Sequence, residues 1–236
     1  MKKAASFALG CKVNQYESEA IAELFAEKGY EIVGIDEEAD VYVINTCTVT
    51  NFGDKKSRQL IRKVKRQNEN AIVAVVGCYA QTAPKELMEI AGVNLVIGTK
   101  DRAQIVEMVE QYDRANGVEN HVSDIMKERV FEPLSIQKLA NRTRAYLKIQ
   151  DGCSQYCSYC IIPYARGPIR SREPQEVVAE VKRLAENGFK EVVLTGIHVA
   201  SYGKDRRDTS LLDILKQVHE VEGICLLYTS PSPRDS

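Results

Sequence analysis

No apolar run in this sequence approaches the roughly 18 residues that a membrane-spanning helix needs, so no membrane partner is expected. No leader is expected either. Met1-Lys2-Lys3-Ala4 passes directly into a short apolar run that ends at Gly10-Cys11 without a cleavage-type site, and a cytoplasmic location is the expectation. Charge of one sign is also lacking: 32 Lys and Arg stand against 33 Asp and Glu, a net charge of −1. Overall charge therefore names no polyanionic partner. Finally, Cys157 and Cys160 have no matching Cys-x-x-Cys pair elsewhere, as a structural zinc site would usually use.

What is present is ordinary in bulk. The 236 residues are 44% hydrophobic and 28% charged, enough for one large or two modest domains with buried cores. The seven cysteines are not ordinary. Their number is odd and no secretion signal accompanies them, so disulfides are not expected. Ligation of a metal or cluster is the use to test.

Short apolar runs alternate with helical patterns over the first hundred residues. Residues 4–9 read as a strand. Residues 14–28 follow as a helix, with Ile21, Leu24 and Phe25 on one face and Gly29 as its C-cap. Further strands are expected at 31–33, 41–45, 72–76 and 95–97. Helices are expected at 84–91, opened by Pro84, and at 103–112. This alternation predicts an α/β fold with a mostly parallel sheet. Around Asn116-Gly117 and Pro133 the period is lost, and 116–142 reads as a linker with room for one strand. A second series then begins: strand 144–149, helix 174–187 with Val177, Val181 and Leu184 inward, strand 191–194 and helix 211–219. The expected division is a first domain over 1–115, the linker, and a second domain over 143–225. Residues 226–236 show neither period and read as a non-native tail of the kind a translated adapter leaves.

Local charge is more informative than net charge. Lys55, Lys56, Arg58, Arg62, Lys63, Lys65 and Arg66 fall within twelve residues, with only Leu60, Ile61 and Val64 apolar. As a helix this segment has a thin apolar stripe and a basic remainder, which suits either a solvated face or a phosphate-contacting surface.

Cys153-Ser154-Gln155-Tyr156-Cys157-Ser158-Tyr159-Cys160 places three cysteines within eight residues, directly after an expected strand. A loop of this length can aim three thiolates at one small object. A 4Fe–4S cluster normally takes four cysteines, so three ligands leave one iron open to an outside donor. Cys11, Cys47 and Cys78 are distant in sequence, but each follows an expected strand. The carboxyl ends of parallel strands share one edge, where ligand sites gather. These three cysteines either converge there on a second cluster or fill the core as small apolar residues.

The Cys-x3-Cys-x2-Cys spacing resembles that of the radical S-adenosylmethionine (SAM) enzymes. That resemblance implies a 4Fe–4S cluster on Cys153, Cys157 and Cys160. Its open iron is chelated by S-adenosylmethionine, which one electron cleaves to a 5′-deoxyadenosyl radical. Tyr159 then occupies the position of an adenine contact, and Thr195 and Gly196, in Thr195-Gly196-Ile197-His198, that of a contact to the methionine part. The segments Gly10-Cys11-Lys12-Val13-Asn14-Gln15-Tyr16-Glu17-Ser18, Asn45-Thr46-Cys47-Thr48-Val49-Thr50 and Gly77-Cys78-Tyr79-Ala80-Gln81 look like the three cysteine motifs of the methylthiotransferase family. Cys160-Ile161-Ile162-Pro163-Tyr164-Ala165-Arg166-Gly167, followed by Arg170-Ser171-Arg172, resembles the radical domain of the same family.

That wider resemblance implies a second 4Fe–4S cluster on Cys11, Cys47 and Cys78, and the start of a (β/α)6-type partial barrel after the linker. Gly-Cys-Lys-Val-Asn-Gln resembles the branch that inserts a methylthio group at C2 of N6-threonylcarbamoyladenosine in tRNA. The implied partners are the tRNA anticodon stem-loop, S-adenosylmethionine and an electron donor such as a flavodoxin or ferredoxin. Other readings are a methylthiotransferase for another modified adenosine or for a ribosomal-protein aspartate, a non-catalytic iron–sulfur protein, and a zinc-binding RNA module. Family members complete the barrel and add a C-terminal RNA-binding domain. A chain of this length is expected to ligate clusters but to turn over poorly. Arg170 and Arg172 either clamp a carboxylate or phosphate or are solvated. His198 as a lone ligand carries little weight, and Cys225 is given no role.

Overall fold

Two β-branched runs, Val41–Thr46 and Ile72–Gly77, and the alanine-rich N-terminal strand Lys3–Ala8 build the centre of the first domain. Almost every side chain of the first two is buried, as a parallel strand covered on both faces requires. A computed structural model of the chain describes residues 1–48, 51–136 and 144–229, without the side chains of 51–54. In chain order the first domain comprises β1 (Lys3–Ala8), α1 (Lys12–Glu27), β2 (Glu31–Ile32), β3 (Val41–Thr46), α2 (Asn51–Gln67), β4 (Ile72–Gly77), α3 (Cys78–Thr82), α4 (Pro84–Met88), β5 (Leu95–Val96), α5 (Ile105–Gln111) and β6 (Glu119–Asn120). The sheet is parallel throughout, in the order β2-β1-β3-β4-β5-β6. The strand order reverses between β1 and β3. In open α/β sheets the crevice at such a switch point is the usual ligand site.

The second domain comprises β7 (Arg144–Asp151), α6 (Ile162–Arg166), β8 (Arg170–Ser171), α7 (Pro174–Glu186), β9 (Glu191–Gly196), α8 (Leu211–His219) and β10 (Leu226–Thr229). Its sheet order is β10-β9-β7-β8, with only β8 antiparallel. This curled sheet with α7 and α8 on its outer side is the expected half-barrel.

The linker segment contributes the one strand it had room for: β6 lies at the edge of the first sheet, where Glu119 and Asn120 pair with Leu95 and Val96. Two differences from the sequence reading have clear causes. The expected tail is not irregular from its start: Leu226–Thr229 pairs in parallel with β9 over four residues. Only Leu227 of this strand packs against the core, so no strong side-chain alternation marks it. Residues 230–236 lie outside the described residues. The short helices α3 and α6 follow glycine- and cysteine-rich turns and are too brief to carry a helical period.

The two domains share a helix. On one face of α1, Ile21 and Phe25 pack into the first sheet's core. On another, Tyr16 and Ala20 pack into the core of the second domain with Leu147, Val181 and Leu194. The Tyr16 hydroxyl donates to the Leu134 carbonyl at 2.6 Å.

Candidate metal centre

Cys11, Cys47 and Cys78 follow β1, β3 and β4, which are adjacent and parallel, so all three lie at one edge of the sheet beside the switch point. Cys11 is the residue before α1, and Cys78 opens α3. The turn between β1 and α1 requires Gly10. Its φ is +98°, and a Cβ there would stand 2.6 Å from Cys47 Cβ and 2.7 Å from its Sγ. The glycine is what lets the first two cysteine loops touch. Asn14, one turn into α1, donates to the carbonyls of Leu9 at 2.8 Å and Thr46 at 3.0 Å, tying the same two loops together. Cys47 and Cys78 are buried and Cys11 is half-buried. Burial pushes the Cys11 and Cys78 thiols up, while Arg166 pulls both back.

The loop bearing Cys153, Cys157 and Cys160 leaves the carboxyl end of β7. Gly152 has φ +71°, and a Cβ there would lie 1.9 Å from the Pro168 carbonyl oxygen. This close backbone approach lets Cys153 N donate to the Gly167 carbonyl at 2.9 Å. Cys160 N donates to the Cys157 carbonyl at 2.9 Å, closing a tight turn, and Tyr156 takes a left-handed φ of 48°. Cys153 is buried, whereas Cys157 and Cys160 are half-buried toward the open side of the loop. No disulfide joins any of the seven cysteines. Cys153 packs with Val13 and Ile197 in a small apolar cluster, against which Cys11 and Ile162 also pack. One cysteine of each set therefore reaches the same apolar cluster at the domain junction.

A buried group of charges underlies both sets, and sequence reasoning missed it. Glu17 of α1 is fully buried and meets Arg102 at 2.5 Å, Arg166 at 2.5 Å and Lys148 at 2.8 Å. Asp151, two residues before Cys153, meets Lys148 at 2.7 Å, Arg170 at 3.5 Å and Arg166 at 3.6 Å. Glu132 completes the group by a two-pronged contact with Arg102. Burial alone would raise the Glu17 carboxyl, but Arg102, Arg166 and Lys148 hold it well below the usual carboxylate range. Burial likewise opposes ionisation of Asp151, and Lys148, Arg166 and Arg170 outweigh it. The only sequence signal was that Glu17 and Arg166 sit inside the cysteine-containing segments. Charged residues there read equally well as surface.

The other expected residues are placed as follows. Thr195 and Gly196 close β9 next to the cysteine loop. Gln150 ties them in: its side-chain amide donates to the Asp151 and Gly152 carbonyls, both at 2.7 Å, and its Oε1 accepts from His198 N at 2.8 Å. Thr195 is buried, and Tyr159 is 82% exposed at the loop surface. The side chain of His198 lies 2.5 Å from Ser201 Oγ. Arg170 and Arg172 are not solvated. Both are buried, Arg170 against Asp151 and Arg172 against Glu180 at 2.5 Å. Cys225 is exposed.

Two family models match the chain: the uncharacterized protein family UPF0004 over residues 3–98 and the radical SAM superfamily over 147–235. The chain is 52% identical over 225 residues to the threonylcarbamoyladenosine tRNA methylthiotransferase MtaB of Bacillus subtilis, covering 95% of this chain and 50% of the relative. The protein of that name in Aquifex aeolicus is 41% identical, with 97% of this chain and 55% of the relative covered. This chain carries a UPF0004 domain and a radical SAM domain. A tRNA-2-methylthio-N(6)-dimethylallyladenosine synthase of Dictyoglomus thermophilum is 33% identical over 96% of the chain and 52% of the relative. The chain spans about half the length of these curated methylthiotransferases. Among solved structures, the radical SAM methyltransferase TsrM of Kitasatospora setae, with tryptophan and a SAM analogue bound, superposes with a TM-score of 0.54. Its identity is 17%, and 84% of this chain and 48% of that chain are covered. That likeness concerns the fold.

Radical SAM proteins carry a 4Fe–4S cluster and bind S-adenosylmethionine, and the donor set of this chain suits such a group. Three thiols stand on a loop locked by Gly152, with the two outer ones toward the open side. Among the described residues no three cysteine, histidine or carboxylate side chains close to the spacing of a single metal ion. A cubane spreads its thiolates over separate irons and does not need that spacing. Among the described residues, no helix is long and apolar enough to cross a membrane.

Proposed function

We propose that this chain is the cluster-bearing part of a tRNA methylthiotransferase that inserts a methylthio group at C2 of N6-threonylcarbamoyladenosine beside the anticodon. In this reading Cys153, Cys157 and Cys160 hold the cluster that binds S-adenosylmethionine, and Cys11, Cys47 and Cys78 hold a second 4Fe–4S cluster. The observation that carries it is the junction itself: Cys11 and Cys153 pack against one apolar cluster, so sulfur held at the first set sits beside chemistry started at the second. When bound, the cofactors supply a carbon radical able to open an unactivated C–H bond and a sulfur to take its place. The chain's own residues do the positioning. Gly10 and Asn14 fix the first set, and Gly152 and Gln150 fix the second and bring Thr195 and Gly196 to the cofactor side. Val13, Ile162 and Ile197 make the space between them apolar, which keeps water from a reactive intermediate.

The substrate branch is supported by the higher identity to the threonylcarbamoyladenosine relatives than to the dimethylallyladenosine one. An RNA substrate is supported by α2. A groove of about 980 Å³ runs beside it, lined by Phe7, Leu9 and Leu60 together with Lys56, Arg62 and Arg66. Leu9 lies two residues from Cys11, so the groove ends near the first cysteine set. The anticodon stem-loop is the proposed occupant, with a cytoplasmic flavodoxin or ferredoxin as the electron donor.

Nucleoside mass spectrometry tests the reaction. tRNA from cells lacking the gene should lose the 2-methylthio form of N6-threonylcarbamoyladenosine and regain it when the gene is restored. Loss of the methylthio mark from dimethylallyladenosine instead would move the substrate to the other branch. Metal analysis tests the sites. Anaerobic reconstitution should give about eight irons per chain, as two 4Fe–4S clusters require. Replacing either set of three cysteines with alanine should halve that number. Zinc without sulfide would defeat the reading.

A further inference from the structure

We propose that Arg166, which is no metal ligand, is the positioning residue that holds the first-set metal–sulfur group as an anion and sets its reduction potential. The proposal rests on the reading that Cys11, Cys47 and Cys78 ligate a cluster. Arg166 closes α6 in the second domain, yet its guanidinium reaches into the first and is fully buried. Its Nε donates to Cys78 Sγ at 3.1 Å. One terminal nitrogen contacts Glu17, and the other contacts both Glu17 and the Asn14 side-chain oxygen. That same Asn14 oxygen lies 3.7 Å from Cys11 Sγ as its acceptor. One planar fork thus joins Cys78 directly and Cys11 through Asn14, while Asp151 anchors it to the strand that leads into Cys153.

Charge balance points the same way. The buried group contains four cations, Arg102, Lys148, Arg166 and Arg170, against three carboxylates, Glu17, Glu132 and Asp151. One buried cation is in surplus, and Arg166 is the one whose donor turns to sulfur. An uncompensated buried charge is costly. Three thiolates outweigh the charge of an oxidised cubane core, so a loaded first set supplies the missing anion. Hydrogen bonds to cluster sulfurs and nearby cations favour the more negative, reduced state and raise the potential. A Lys at this position would be a point charge that cannot serve sulfur, amide and carboxylate in one plane.

The test uses the full chain carrying Cys153→Ala, Cys157→Ala and Cys160→Ala, so that only the first set can load. After anaerobic reconstitution with iron and sulfide, iron content and the midpoint potential are measured by an EPR-monitored redox titration. Arg166→Met should lower the potential and the iron retained, and Arg166→Lys should give a smaller fall of the same sign. Arg102→Met is the control, since Arg102 is equally buried in the same group but meets carboxylates, Glu17, Glu132 and Asp151, where Arg166 also meets sulfur. It should shift the potential less than Arg166→Met does. An unmoved potential in Arg166→Met, or equal shifts from Arg166→Met and Arg102→Met, overturns the proposal. Should Arg166→Met fail to fold by circular dichroism, an unmoved potential in Arg166→Lys overturns it. If the parent chain binds no iron, the two-cluster reading itself fails, and this proposal with it.

Discussion

At the scale of single residues, the domain junction depends on ionised groups that have no access to water. Glu17 is the clearest case, with three cations around one buried carboxylate. Glu17→Gln should destabilise the protein by about 3–5 kcal/mol, the usual loss when one member of a buried ion pair is removed. The pH dependence has a definite sign. The folded-state carboxyls of Glu17 and Asp151 are held below their ordinary range. Their contribution is therefore complete above the unfolded values near 4 and is lost as the pH falls toward the folded values. Thermal melts between about pH 7 and 3 should show a steep acid limb below about pH 4. In Glu17→Gln that limb should be shallower, and an unchanged limb would show that Glu17 titrates normally.

At the scale of elements, α1 and α2 have opposite tasks. α1 is buried on two faces, which explains why its sequence pattern marked only one. Ile21 and Phe25 are apolar and legible, whereas Asn14, Glu17 and Ser18 are polar and nevertheless buried. α2 keeps the thin-stripe pattern expected of it, with Ile61 and Val64 buried and Arg62 and Arg66 exposed. Part of its basic face is engaged within the protein: Arg58 pairs with Glu86, and Lys63 with Asp36. Arg62 and Arg66 line the groove instead. If they contact phosphate, the double substitution Arg62→Gln, Arg66→Gln should weaken binding of an anticodon stem-loop. It should also reduce the slope of log K against log salt by about 2. Fluorescence anisotropy over a salt series measures both, and an unchanged slope would return α2 to the role of a solvated face.

At the scale of the whole molecule, the two sheets are bound into one unit through α1 and the buried charges. Tyr16 sits in the second domain's core although it belongs to the first domain's helix. Calorimetry of the chain should accordingly show one cooperative transition. Tyr16→Ala, which empties an aromatic site in that core, should lower its stability by about 3–5 kcal/mol. Two separate transitions in the parent protein would mean that the junction is weaker than its burial implies. The same coupling bears on the proposed reaction, because a shift of one domain would carry Cys11 away from Cys153.

The sequence by itself determined the strand–helix alternation and marked out two groups of cysteines. Each of these is encoded locally, in periodicity, in glycine before cysteine, or in close spacing. The parallel order of β1, β3 and β4 could be expected from alternation, and with it the shared edge for Cys11, Cys47 and Cys78. Only the tertiary structure decided which polar residues are interior. Glu17, Arg102, Lys148, Asp151 and Arg166 come from four separate segments, and nothing in a local pattern separates a charge that meets a distant partner from one that meets water. Arg170 and Arg172 show the same limit, since their buried carboxylate partners lie on β7 and α7. The strand Leu226–Thr229 was hidden for a related reason: its partner, β9, supplies the hydrogen bonds that make it a strand.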